Sequence, residues 1–103
     1  MTHTLINIKR AVLAGRYAFS EKARTEMEMD GITAMDVVES LLNAVAIYKI
    51  IRSKSPYRRG RRESLYVIQS PNLEGLPIYS KGKLVKEQGQ DVYYFLISSK
   101  RAM

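Results

Sequence analysis

The spacing of apolar residues changes once along this chain, and that change limits the available folds more than any other feature. Up to about residue 44 apolar positions recur every three to four residues, and from about residue 46 they alternate. A period near 3.6 buries one face of a helix, and a period of 2 buries one face of a strand. The first part therefore reads as helices and the second as a sheet.

Ile6, Ile8, Ala11, Val12, Leu13 and Ala14 predict a first helix over Leu5 to Ala14, stopped by Gly15. Tyr17-Ala18-Phe19 is a short extended piece, after which Ser20 offers a hydroxyl to cap a second helix running through Met27 to a stop at Gly31. Glu26, Glu28 and Asp30 in that stretch read as an ordinary polar helix face. Thr33 and Asp36 resemble a capping box with a shorter acid. They open a third helix, with Val37, Val38, Leu41 and Leu42 as its apolar stripe and its end near Asn43 or Ala44.

Beyond it, β-branched and aromatic residues predict strands at Ala46 to Arg52, Ser64 to Gln69, Leu76 to Ser80 and Asp91 to Ser98. Turn chemistry separates them: Pro56 and Gly60, then Pro71-Asn72 and Gly75, then Gly82 and Gly89. Short links favour antiparallel neighbours. The expected fold is α+β, with about three N-terminal helices packed on one face of a small twisted antiparallel sheet of about four strands. The 103 residues, 46% of them hydrophobic, suffice for one domain over 1–103.

With no cysteine and a single histidine, His3, the chain has neither thiolate nor clustered imidazole ligands, so no metal site and no cofactor are expected. The first residues lack the features of a signal peptide and no apolar run is long enough to span a bilayer, which makes the cytoplasm the expected compartment. Charge is unevenly placed. Residues 1–48 hold five Lys/Arg against six Asp/Glu, and residues 49–103 hold twelve against four. Such a field concentrates anionic partners near the second half.

The densest part is Lys49 to Arg62, with seven cations and no acid; Lys54, Arg58, Arg59, Arg61 and Arg62 fall between Ser53 and its end. Alternation in the preceding strand groups Lys49 with Ile47 and Ile51, and Tyr48 with Ile50 and Arg52, but both groups are apolar enough to face a core. Tyr57, Tyr66, Tyr79, Tyr93 and Tyr94 lie in residues 49–103 with Tyr48 at their border, and one of Tyr93 and Tyr94 must face the core. Unpaired bases stack on aromatic rings while phosphates pair with Lys and Arg, so the mixture suits single-stranded RNA better than duplex DNA. The candidate contacts are Tyr48, Arg52, Lys54, Tyr57, Arg58, Arg59, Arg61, Arg62 and Lys81.

No Ser/His/Asp set and no phosphate-cradling Gly-rich loop is present. One reaction needs neither histidine nor metal: cleavage of RNA by its own 2'-hydroxyl. That step requires a proton acceptor, a proton donor and cations for the developing phosphorane charge, roles open to Tyr, Lys and Arg.

The segment Phe19-Ser20-Glu21-Lys22-Ala23-Arg24-Thr25-Glu26-Met27, with Asp30-Gly31-Ile32-Thr33 and Asp36-Val37, resembles the helical signature of the family known as domain of unknown function 4258. Gly75-Leu76-Pro77-Ile78-Tyr79 is similar to that family's glycine-x-proline-leucine-histidine strand. Order and chemistry also resemble the MqsR toxins, RelE-like mRNA interferases. The resemblance implies a RelE-like fold and a toxin of a type II toxin-antitoxin system, acting as a metal-independent endoribonuclease. It implies catalytic roles for Lys49, Tyr79 and Lys100, beside Tyr48, and a partner antitoxin of zinc-finger or helix-turn-helix type. The family carries histidine where this chain has Lys22 and Tyr79, so Tyr79 and the lysines would take over that chemistry.

Two other readings use the same surface. In one the chain is a non-catalytic module for single-stranded RNA, free or on the ribosome. In the other it is a basic interaction protein that folds against an acidic partner.

Overall fold

The computed structural model describes residues 3–52, 63–87 and 91–103. Three helices precede most of the sheet: α1 (His3–Leu13), α2 (Glu21–Asp30) and α3 (Ala34–Asn43). The strands are β1 (Tyr17–Phe19), β2 (Lys49–Arg52), β3 (Ser64–Pro71), β4 (Pro77–Glu87) and β5 (Asp91–Arg101). They form one sheet in the order β1-β5-β4-β3-β2.

The α+β class and the three helices agree with the sequence reading, but the sheet has five strands and is mixed. Tyr17–Phe19, read as a short extended piece, is the extra strand and runs parallel to β5. Three residues are too few to display a period, so only tertiary pairing defines them. Tyr94 N–H donates to the Arg16 carbonyl at 3.0 Å and Ser20 N–H to the Leu96 carbonyl at 2.9 Å, which stitches β1 to its neighbour. A second correction concerns β4, expected to stop at Ser80 with a turn at Gly82. The strand continues to Glu87, and Gly82 lies within it beside a register shift at Lys81/Gly82.

The glycine is there for space. A Cβ on Gly82 would stand 2.7 Å from Tyr94 Cζ and 2.9 Å from the Phe95 carbonyl oxygen, so the Tyr94 ring lies against the bare backbone. A ring laid over a strand glycine supplies the cross-strand packing that the glycine lacks.

Local chemistry fixes each helix end. Ser20 Oγ accepts from Ala23 N–H at 3.0 Å and donates to the Ile97 carbonyl at 3.0 Å, so one hydroxyl both caps α2 and ties it to β5. Gly31, at φ 69°, closes α2: its N–H reaches the Glu28 carbonyl and Ile32 N–H reaches the Met27 carbonyl, a Schellman pair. The Thr33–Asp36 capping box is present, with bonds of 2.8 and 3.1 Å. Asp36 also accepts from Asn72 Nδ2, and Ser40 Oγ donates to the Ser70 carbonyl, which seats α3 on the end of β3.

The helices cover one face of the sheet. Leu5, Ile8, Val37 and Leu41 from the helices meet Ile68, Ile78, Tyr94 and Leu96 from the strands, all fully buried. Tyr94, not Tyr93, is the core tyrosine. Burial pushes its hydroxyl well above the ordinary tyrosine pKa, with Tyr66 nearby adding to the shift.

The acids of α2 differ from expectation. Glu26 Oε1 accepts from Ser98 Oγ at 2.7 Å and from Ser99 N–H at 3.1 Å, and Asp30 Oδ2 accepts from Arg101 N–H at 2.8 Å. Carboxylates four residues apart share one helix face, so α2 offers two acceptors in register with alternate amides of β5. Of the three, only Glu28 is simply exposed. No helix among the described residues is long and apolar enough to cross a membrane.

Candidate nucleic-acid interface

Alternation assigns the other face. Residues opposite one another across a sheet share a face, and the register aligns Lys49, Val67 and Lys81 in one row. Tyr79 stands opposite Gln69 on one side and Lys100 on the other. Lys83 stands opposite Phe95. Ile78, Ser80 and Gly82, the intervening β4 residues, are buried on the helix side. Tyr79, Lys81 and Lys83 therefore project from the face without helices. Ile51 and Leu65 share it.

Three residues given catalytic roles by the resemblance thus come to one face. Tyr79 and Lys100 touch: the Lys100 ammonium lies 5.3 Å from the centre of the Tyr79 ring. Lys49 is on β2, two strands from Tyr79 and two residues out of its row, which puts the two Cα atoms about 12 Å apart from strand spacing and rise. Lys81 lies between them in that lattice, opposite Val67. Val67, in the row of Lys49 and Lys81, is only 2% exposed although it lies outside the helix-side core.

Other sequence candidates fall elsewhere. Arg52 pairs with Ser64 and, with Ile50, belongs to the side on which Tyr66 meets the core, so it is separated from Lys49 by the thickness of the sheet. Tyr48 precedes β2 and is 67% exposed, held by its N–H to the Val67 carbonyl. Lys54, Tyr57, Arg58, Arg59, Arg61 and Arg62 lie outside the described residues, as do Pro56, Gly60 and Gly89.

Lys83 and Phe95 were not among the sequence candidates. The Lys83 ammonium lies 6.0 Å from the centre of the Phe95 ring and 2.8 Å from Glu63 Oε1. The signal for Lys83 was present in the alternation Tyr79, Lys81, Lys83, Val85, and reading Gly82 as a turn hid it. Phe95 follows Tyr93 at the same period, but only the pairing of β4 with β5 brings it to Lys83.

The face thus has four lysines, Lys49, Lys81, Lys83 and Lys100, with aromatic rings among them. An ammonium held over a ring is positioned where it can move to an incoming phosphate and leave the ring to a base. Among the described residues no cluster of three or more His, Asp or Glu has the placement to hold a metal ion. No family model, no curated protein and no solved structure matches this chain in comparison.

Proposed function

We propose that the chain is a metal-independent endoribonuclease of the toxin kind, with a RelE-like fold, that holds single-stranded RNA across the helix-free face of its sheet. The observation carrying this reading is the Lys100–Tyr79 pair at 5.3 Å on a face that also bears Lys49 and Lys81. A hydroxyl-bearing ring in contact with one lysine, on a face that carries others, offers the proton transfer and the positive charge that cleavage by the RNA's own 2'-oxygen requires.

In this reading the 2'-oxygen attacks the adjacent phosphorus and loses its proton, a 2',3'-cyclic phosphate forms, and the bond to the 5'-oxygen breaks. The leaving 5'-oxygen takes a proton. Tyr79 is assigned one of these proton transfers, and Lys100 and Lys81 the charge on the phosphorane, with Lys49 gripping a neighbouring phosphate. An antitoxin of zinc-finger or helix-turn-helix type would cover the same basic face, and the site of action would be the cytoplasm. The test is RNA incubated with purified protein in the presence of a chelator, with and without ribosomes. Products ending in cyclic phosphate are expected; RNA left intact in both settings sinks the catalytic reading.

The shape of the site favours a second reading. Lys49 and Lys100 are exposed on a face that no helix covers among the described residues, an arrangement that gives affinity without enclosing a reacting centre. A non-catalytic RNA- or ribosome-binding module would show salt-sensitive binding and no turnover. A third, an interaction protein for an acidic partner, predicts no RNA binding even at low salt.

A further inference from the structure

The contact between Tyr79 and Lys100 is repeated further along the same two strands with its members exchanged. At one end the ring is on β4 and the lysine on β5; at the other the lysine, Lys83, is on β4 and the ring, Phe95, on β5. Both are direct cross-strand partners. Four steps along β4 separate them, about 13 Å at the rise of a strand. That distance exceeds what one nucleotide occupies.

The two pairs differ in charge. Lys83 is bonded to Glu63 at 2.8 Å, and both side chains are partly buried, at 23% and 32% exposure. Lys100 is exposed, and no acid contacts it in a described ion pair. The Lys83 ammonium is therefore held near the ring by a carboxylate that also offsets its charge. A phosphate approaching this end must compete with Glu63, whereas one approaching Lys100 meets a cation that no acid pairs among the described residues.

We propose that Phe95, Lys83 and Glu63 form a second base-stacking subsite for single-stranded RNA, in which Glu63 restrains Lys83 until a base takes the Phe95 ring. This rests on the reading of the helix-free face as the RNA surface. The subsite contributes stacking rather than counterion release, because its cation is already neutralised. It engages only strands long enough to reach past the Tyr79–Lys100 pair. Glu63 acts on RNA through Lys83 and disfavours binding.

The experiment measures binding of a dinucleotide and of a hexanucleotide RNA, both methylated at the 2'-oxygens so that they cannot be cleaved, by the full chain, across a salt series, with Phe95→Leu, Glu63→Gln and Lys100→Ala. Phe95→Leu is expected to weaken the hexanucleotide about tenfold, with an unaltered salt slope and unaltered dinucleotide binding. A fluorescent base analogue near one end of the hexanucleotide should lose its stacking quench in that variant. Glu63→Gln is expected to tighten the hexanucleotide, and Glu74→Gln, in the exposed turn at the far end of β4, should leave it unchanged. Circular dichroism confirms that each variant is folded.

Hexanucleotide affinity that falls with Lys100→Ala but is indifferent to both Phe95→Leu and Glu63→Gln overturns the subsite and leaves the RNA-binding face standing. Equal tightening by Glu63→Gln and Glu74→Gln would reduce Glu63 to general repulsion and overturns its restraining role. No RNA binding by the unmodified chain removes the surface reading itself, and the subsite with it.

Discussion

The two faces of this sheet are written in alternate letters of the same strands, yet they are built for opposite ends. Ile68, Ile78, Tyr94 and Leu96 on one side have no exposure at all and meet three helices. Tyr79, Lys81, Lys83 and Phe95, their immediate neighbours, are half-buried and meet lysines and rings. Burial of apolar area stabilises the first set, whereas the second offers charge and stacking to something outside. Stability and binding should thus be separable by moving a single residue along β3 or β4.

The sharpest way to break that separation is Ile68→Ala, which empties a fully buried position. Loss of about 2–5 kcal/mol of stability is expected, read by urea unfolding, with RNA affinity unchanged where the variant is still folded. A loss of affinity without loss of stability would reverse the assignment of faces. On the other side, Tyr79→Phe and Lys100→Ala are expected to slow RNA cleavage about a hundredfold to a thousandfold while unfolding midpoints stay put. Cleavage at the unmodified rate would relieve both residues of the role proposed for them.

Gly82 probes the boundary between the faces. Gly82→Ala places a methyl group 2.7 Å from the Tyr94 ring and 2.9 Å from a backbone oxygen, so about 1–3 kcal/mol of destabilisation is expected, visible in thermal unfolding. Unchanged stability would mean that the ring gives way freely. The smallest effect belongs to the α3 cap. The Thr33 amide, the first of its hydrogen bonds, holds the Asp36 carboxyl below its ordinary value of 3.8. A depressed folded pKa contributes stability that is present above the unfolded value and is lost as pH falls through the folded one. Unfolding followed from pH 5 down should therefore decline less steeply for Asp36→Asn than for the unmodified chain, and identical slopes would remove the cap from the acid response.

Much of this was legible in the sequence because it rests on local chemistry. Ser20, Gly31, Thr33 and Asp36 form their helix caps through bonds to residues within four positions, and the change of period separated helices from sheet. What the sequence concealed depends on distant partners. β1 exists because β5 lies beside it, Gly82 is a strand residue because Tyr94 covers it, and Glu26 is an acceptor because Ser99 presents an amide. The site divided in the same way. Lys49, Tyr79 and Lys81 share a face by simple alternation and Lys100 joins them only because the register shift at Lys81/Gly82 reverses the alternation of β5, whereas Arg52, adjacent in charge along the chain, alternates to the other side. Lys83 and Phe95 come together only through the pairing of β4 with β5.

The two carboxylates of α2 have a further consequence for how this protein behaves in a crowd. β5 is eleven residues long, and β1 lines it only from Tyr94 to Leu96. The bare remainder of such a strand is a template on which another chain can pair and aggregate. Glu26 and Asp30 occupy the amides of Ser99 and Arg101, so a helix stands where a foreign strand would start. Two acids outside the core cluster thus occupy the amides that such pairing would need.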